Sequence, residues 1–220
     1  YGFSLGANYS EKNAFGTGNS VSVGINYSEW RQDLSFDFFN PYFTIDGIGL
    51  GYGAYLRKTD YGNFNIAAYN TDSYGGSVRF QLPISEIESL SLSLALDNTQ
   101  LATNFYSSRQ LQDFYNSEGS EFTTYSASVS WARFTLDRGL FPTNGTSNTI
   151  SLSLTLPGSN LNYGRFTHEF KIFRPLPQRL IFGYRSRIGI LFAYEDTETA
   201  PPYQHFYAGG MRSVRGFRQN

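Results

Sequence analysis

Ser89-Leu90-Ser91-Leu92-Ser93-Leu94-Ala95-Leu96-Asp97 decides the fold of this chain. Its four leucines fall on alternate positions, a period of two rather than 3.6. Successive side chains of an extended strand point to opposite faces, so one face here is leucine and the other is serine, alanine and aspartate.

The same rhythm recurs on both sides of this stretch. Ile150, Leu152, Leu154 and Leu156 oppose Ser151, Ser153 and Thr155, and Tyr125, Ala127, Val129 and Trp131 oppose Ser126, Ser128, Ser130 and Ala132. Leu180, Phe182, Tyr184, Ile188, Ile190 and Phe192 oppose Gly183, Arg185, Arg187 and Gly189. Similar alternation near 2–10, 20–28, 33–39, 47–58, 66–83 and 162–173 brings the expectation to about ten strands, several long enough to cross a tilted bilayer. Register should be firm. A slip of one residue over 180–194 would turn Arg185 and Arg187 onto the apolar face. On a lipid face each would cost roughly 2–4 kcal/mol, a large share of a domain stability of about 5–15 kcal/mol.

Alternation alone leaves open which face points inward. A soluble sandwich or lipocalin-like barrel puts its leucines inside; a membrane barrel puts them outside. Strand length favours the membrane, as do aromatics near strand ends (Tyr27 with Trp30, the 36–43 cluster, Phe206 with Tyr207), which suit interfacial girdles. The polar face, with Arg57, Arg79, Arg165, Glu169, Lys171, Arg185 and Arg187, then reads as a wet interior. Turns fall at Phe15-Gly16-Thr17-Gly18, Asp46-Gly47, Pro142-Thr143-Asn144-Gly145 and Pro157-Gly158. The connection 98–121 reads as an external loop with a short helical stretch at 107–115.

Composition narrows the function. The formal net charge of −1 carries no electrostatic footprint for nucleic acid. With no cysteine, disulfide frameworks, thiolate metal sites and thiol catalysis are all excluded. No apolar run approaches the roughly 18 residues of a transmembrane helix, which leaves a barrel untouched. His168 and His205, the only histidines, read as structural or interfacial. There is no Gly-x-Ser-x-Gly elbow and no His-Glu-x-x-His site. Gly49, Gly51 and Gly53 alternate within a strand and read as packing glycines, while Asp60, Asp72, Asp97 and Asp196 lack calcium-loop spacing. No catalytic residue, metal or cofactor is expected.

Three segments carry a resemblance: Asn40-Pro41-Tyr42-Phe43-Thr44-Ile45-Asp46-Gly47, Leu136-Asp137-Arg138-Gly139-Leu140-Phe141-Pro142-Thr143-Asn144-Gly145, and Phe206-Tyr207-Ala208-Gly209-Gly210-Met211-Arg212-Ser213-Val214-Arg215-Gly216-Phe217. In this order, between strands of this kind, they resemble the outer-membrane barrel-insertase superfamily across essentially the whole chain. The resemblance implies an all-β transmembrane antiparallel barrel of about sixteen strands, of which residues 1–220 hold about ten, incomplete at both ends, with the periplasmic POTRA domains absent. It makes 203–220 a long external loop. Val214, Arg215, Gly216 and Phe217 are its lumen latch, and Gly209 and Gly210 shape it. Asn40, Pro41, Tyr42, Asp137, Arg138, Gly139, Pro142, Thr143 and Gly145 are structural motif positions. The implied function is non-enzymatic insertion of client outer-membrane proteins in a Gram-negative outer membrane. Its implied partners are those clients, the lipid bilayer and accessory lipoproteins held by the absent periplasmic domains. A two-partner-secretion or TamA-like transporter, and a passive porin, are the alternatives.

Each motif also has a plain structural reading. Asn-Pro and Asn-Gly are ordinary turn formers, Asp137–Arg138 a local charge pair, and Arg215 a solvated loop arginine beside a flexible glycine.

Overall fold

The computed structural model describes residues 3–60, 69–103, 107, 109–206 and 208. The described residues form one antiparallel sheet of ten strands in which each strand pairs with the next in sequence. The strands are β1 Ser4–Glu11, β2 Ser20–Ser28, β3 Arg31–Asn40, β4 Gly49–Asp60, β5 Tyr69–Pro83, β6 Glu88–Thr103, β7 Glu121–Phe134, β8 Gly145–Thr155, β9 Tyr163–Pro175 and β10 Ile181–Ala193. One helix, α1, spans Arg109–Glu118 between β6 and β7. The sheet is open, with β1 and β10 as its edges.

The opening stretch sits in β6, where Leu92 pairs with Phe80 and Val129, and Ser91 with Gln81 and Ser130. Leucine therefore meets apolar side chains, and serine meets polar ones, across both ladders. On β10 the same register sets Arg185 opposite Lys171 and Arg187 opposite Glu169, all on the polar face.

The structure closes the question that alternation leaves open. Leu92, Leu94, Leu96, Tyr125, Ile188 and Ile190 are exposed, and the exposed apolar surface runs from β1 to β10. A water-soluble sandwich has the opposite arrangement. An apolar surface of this extent is the signature of contact with lipid. The polar face is the one on which α1 and the segment after β10 pack, so it is the inside.

Connections alternate between the two ends of the sheet. One end carries 12–19, 41–48, 84–87, 135–144 and 176–180; the other carries the β2–β3 turn, α1, 156–162 and the segment 194–206. The buried core lies at this second end and is small. Tyr69, Leu101, Phe122 and Leu161 surround Leu111 and Phe114 of α1, and Tyr115, Tyr163 and Tyr203 pack against them. The helical stretch expected at 107–115 is present as α1, but the connection begins later than 98: strand β6 continues to Thr103. Leu111 and Phe114, three residues apart on one face of α1, pack onto the inner wall.

Candidate functional site

On the inner wall, charges meet in compact groups. Asp33 Oδ1 accepts from Arg57 Nε at 2.7 Å and from Arg31 Nη2 at 3.1 Å. Tyr55 donates to the Asp97 carboxylate two strands away, across Gly75 of β5. Glu169 holds three cations: Lys171 Nζ and Arg185 Nη2 at 2.9 Å and Arg187 Nη2 at 3.2 Å. Hydroxyl pairs fill the wall between them, Ser128 with Ser153 at 3.0 Å and Ser130 with Ser151 at 2.8 Å. Small hydroxyls and half-exposed ions need water around them, so this face lines a wet lumen. Gly49 and Gly51 lie beneath the Phe39 ring, where a Cβ on Gly49 would come within 2.5 Å of it, so they are packing glycines as expected.

Onto this wall folds the segment after β10. Pro201 is fully buried. Tyr203, in the short 3₁₀ turn Pro202–Gln204, packs on Phe122 with ring centroids 6.4 Å apart. Arg165 Nη1 donates to Gln204 Oε1 at 3.4 Å. The Arg165 guanidinium also lies over the Phe206 ring, 4.6 Å from its centroid. That ring covers Gly189, where an added Cβ would come within 2.5 Å of Phe206 Cζ. Gly189 is thus a notch in the inner wall that a ring occupies. This corrects the expectation that Phe206 belongs to an interfacial girdle: it faces the lumen, held by a glycine floor and a cation. The latch motif Val214–Phe217, with Gly209 and Gly210, lies outside the described residues.

The other motif positions build turns at the opposite end. Asn40 Oδ1 accepts from the Tyr42 amide at 3.0 Å, with Pro41 between them. In the second turn Asp137 accepts from the backbone amides of Thr143 at 2.9 Å and Asn144 at 3.2 Å, and from the Thr143 hydroxyl. Arg138 Nε stands 3.5 Å from the Asp137 carboxylate. Gly145, at φ 108°, closes the turn where a Cβ would meet Thr135 O at 2.2 Å. Asp137, Arg138, Thr143 and Gly145 are thus brought together as one self-capped turn, with Gly139 and Pro142 in the same loop.

The Asp137 carboxyl is held far below the ordinary carboxylate range, first by the Thr143 hydroxyl, then by the two amides and Arg138. A depressed carboxylate contributes above its unfolded value and loses that contribution only as pH falls through its folded one. Protection of the Thr143 and Asn144 amides from exchange, corrected for intrinsic rates, should therefore persist from neutral pH down to about pH 4. Asp137→Asn should lower that protection throughout this range. Loss in the unsubstituted protein already between about pH 6 and 5 would contradict the capped turn.

His168 faces outward on β9 between Ile150 and Ile188, and its Nε2 stands 2.9 Å from Asn148 Oδ1. This is a paired polar group on an apolar face. Among the described residues, no group of His, Asp and Glu has the arrangement of a metal site.

A sheet with its apolar side chains outward, its ions inward and a chain segment folded onto its inner wall is the wall of an outer-membrane β-barrel. Residues 13–220 match the Omp85 superfamily domain, and the chain belongs to that superfamily. It is 30% identical, over 98% of its length, to the outer membrane protein assembly factor BamA of Neisseria meningitidis serogroup B. It is 25% identical, over 99% of its length, to the assembly factor of the same name from Nitratidesulfovibrio vulgaris. The chain spans 28% and 26% of these two relatives. The crystal structure of BamA from Haemophilus ducreyi lacking POTRA domains 1–3 superposes with a TM-score of 0.90 at 28% identity, covering 99% of this chain and 44% of that one. CdiB from Acinetobacter baumannii shares the fold, with a TM-score of 0.57 at 15% identity, covering 98% of this chain and 39% of that one. The protein is thus an outer-membrane barrel protein of the Gram-negative type.

Sequence reasoning missed the plug at the loop end and the Gly189 notch. Part of the plug had a signal. Leu101 and Phe122 carry the inner-face parity of β6 and β7, where alternation calls for a polar residue. Two apolar residues on the polar row of adjacent strands imply that something covers them.

Proposed function

We propose that the protein containing this chain is an outer-membrane barrel insertase, which folds and inserts client β-barrels without covalent chemistry. The observation that carries this reading is the superposition over 99% of the chain, at 28% identity, on a BamA barrel. The relatives named as assembly factors, 30% and 25% identical over nearly the whole chain, support it. In this reading residues 1–220 supply ten strands of a barrel of about sixteen. A weakly closed seam elsewhere in the barrel perturbs the bilayer and templates client strands by β-augmentation. The segment entering the lumen at 201–206 carries Val214, Arg215, Gly216 and Phe217 inward as a latch. There Arg215 makes charge-assisted bonds, Gly216 permits a sharp return and Phe217 anchors the tip. Gly209 and Gly210 shape the approach. Client outer-membrane proteins and the bilayer are its partners, with accessory lipoproteins engaged through periplasmic domains.

The experiment is depletion of the full-length protein in cells, following porin abundance in the outer membrane. Porins are expected to fall as the protein is exhausted and to return on complementation. Normal porin levels throughout depletion would exclude an assembly factor and leave the transporter or channel readings.

A further inference from the structure

The turn that Asp137 caps ends in Asn144-Gly145, the sole Asn-Gly pair of the chain. Asparagine before glycine is chemically labile, because glycine has no Cβ to shield its backbone nitrogen from the neighbouring carboxamide. In a folded chain that lability depends on where the carboxamide points. Here it folds back over its own following peptide bond: the Gly145 amide donates to Asn144 Oδ1 at 2.9 Å. This brings the Gly145 nitrogen up to the carboxamide whose carbon it would attack, the proximity that a near-attack geometry requires.

Arg174, at the end of β9, donates to the same oxygen through Nη1, also at 2.9 Å. Two donors on one oxygen fix the orientation of the amide, and Asn144 is exposed, so water reaches the Nδ2 group. The backbone on either side is pinned as well. Asp137 Oδ1 accepts from the Asn144 amide at 3.2 Å, and the Asn144 carbonyl accepts from the Asp137 amide at 3.1 Å. Asn19 and Asn116, the two asparagines followed by serine, serve as comparators. Asn19 leads straight into β2, and Asn116 lies inside α1, where the next amide is engaged by the helix ladder.

We propose that Asn144 is a deamidation site arranged by the folded turn. Hydroxide removes the Gly145 amide proton, the nitrogen attacks Asn144 Cγ, and the Arg174 guanidinium stabilises the charge that develops on Oδ1. The Cγ–Nδ2 bond breaks, ammonia leaves with a proton from water, and a succinimide ring closes. Water then opens the ring, at Cγ to give aspartate or at the main-chain carbonyl to give isoaspartate. Asp137 is too weak a base to replace hydroxide, its carboxyl lying far below the ordinary range. Either product sets a carboxylate beside Arg174, and isoaspartate also adds a methylene to the backbone between the Asp137-held amide and β8. The proposal rests on this turn and not on the insertase function.

Its test ages the full-length protein in liposomes, at mildly alkaline pH in heavy-oxygen water, and maps the peptides by mass. The peptide holding Asn144 should lose ammonia and then gain a labelled oxygen, ahead of those holding Asn19 and Asn116. Its rate should rise with hydroxide and be no slower than in the same chain unfolded in guanidinium chloride. Arg174→Gln, with folding verified by heat-modifiable migration, should slow conversion severalfold in the barrel and leave the unfolded rate unchanged. Slower conversion in the barrel than in the unfolded chain would overturn the proposal, because the fold would then protect Asn144. An Arg174→Gln barrel that converts at the unsubstituted rate would overturn it as well.

Discussion

Leu94→Arg is expected to destabilise the inserted barrel strongly, whereas Ala95→Arg, one residue further along β6, should leave its stability close to that of the unsubstituted protein. Leu94 stands on the outer face between Val78 and Ala127 and is 57% exposed, so its surroundings are the lipid. A guanidinium there costs roughly 2–4 kcal/mol near the midplane. Ala95 faces the lumen between Ser77 and Ser126, two residues from Asp97 on the same face. An arginine at that position stays in water beside a carboxylate, worth about 0–1 kcal/mol in either direction. Urea unfolding of the two variants in liposomes should separate their midpoints clearly, with Leu94→Arg the lower. Equal losses at the two sites would mean that the faces are assigned wrongly.

Gly189→Val is expected to free the segment after β10 while leaving β10 in place. The new side chain occupies the space of the Phe206 ring, which must leave the wall and lose its contact with Arg165. The cation–π contact is worth about 0.5–1 kcal/mol at a half-exposed site, and partial ring burial adds a similar amount. A loss of about 1–2 kcal/mol raises the open population by a factor of roughly 5–30. Protease cleavage between 194 and 206 should accelerate accordingly, while heat-modifiable migration of the barrel is retained. Phe206→Ala should give the same acceleration, and the double variant no more than either alone, because both remove one contact. Additive effects would mean that the ring and the notch act independently.

The ten strands were legible because period two is a local property that survives without knowledge of neighbours. Strand ends were read less well, as at β8, which starts at Gly145 rather than near Ile150, because turn chemistry there competes with alternation. Which face is inner was legible only in part. Alternation is symmetric, and strand length with the aromatics near strand ends favoured the polar face as the inside; the exposed leucines and the chain folded onto the serine face bear that out. Phe206 shows why the site was harder than the fold. An aromatic near a strand end has the same local sequence whether it joins a girdle or enters a lumen. What decides is Gly189, seventeen positions earlier, and Arg165 on another strand. The Pro142–Gly145 turn was readable because its turn formers are adjacent, whereas Asp137 was read only as a charge partner of Arg138 and its capping of the Thr143 and Asn144 amides comes from the structure.

The most direct measurement of the insertase reading is the folding of a urea-unfolded porin diluted into liposomes that hold the full-length protein, followed by heat-modifiable migration of the porin. Folding should run several-fold faster than into liposomes carrying an unrelated outer-membrane barrel at equal density. Identical rates in the two preparations would contradict the account.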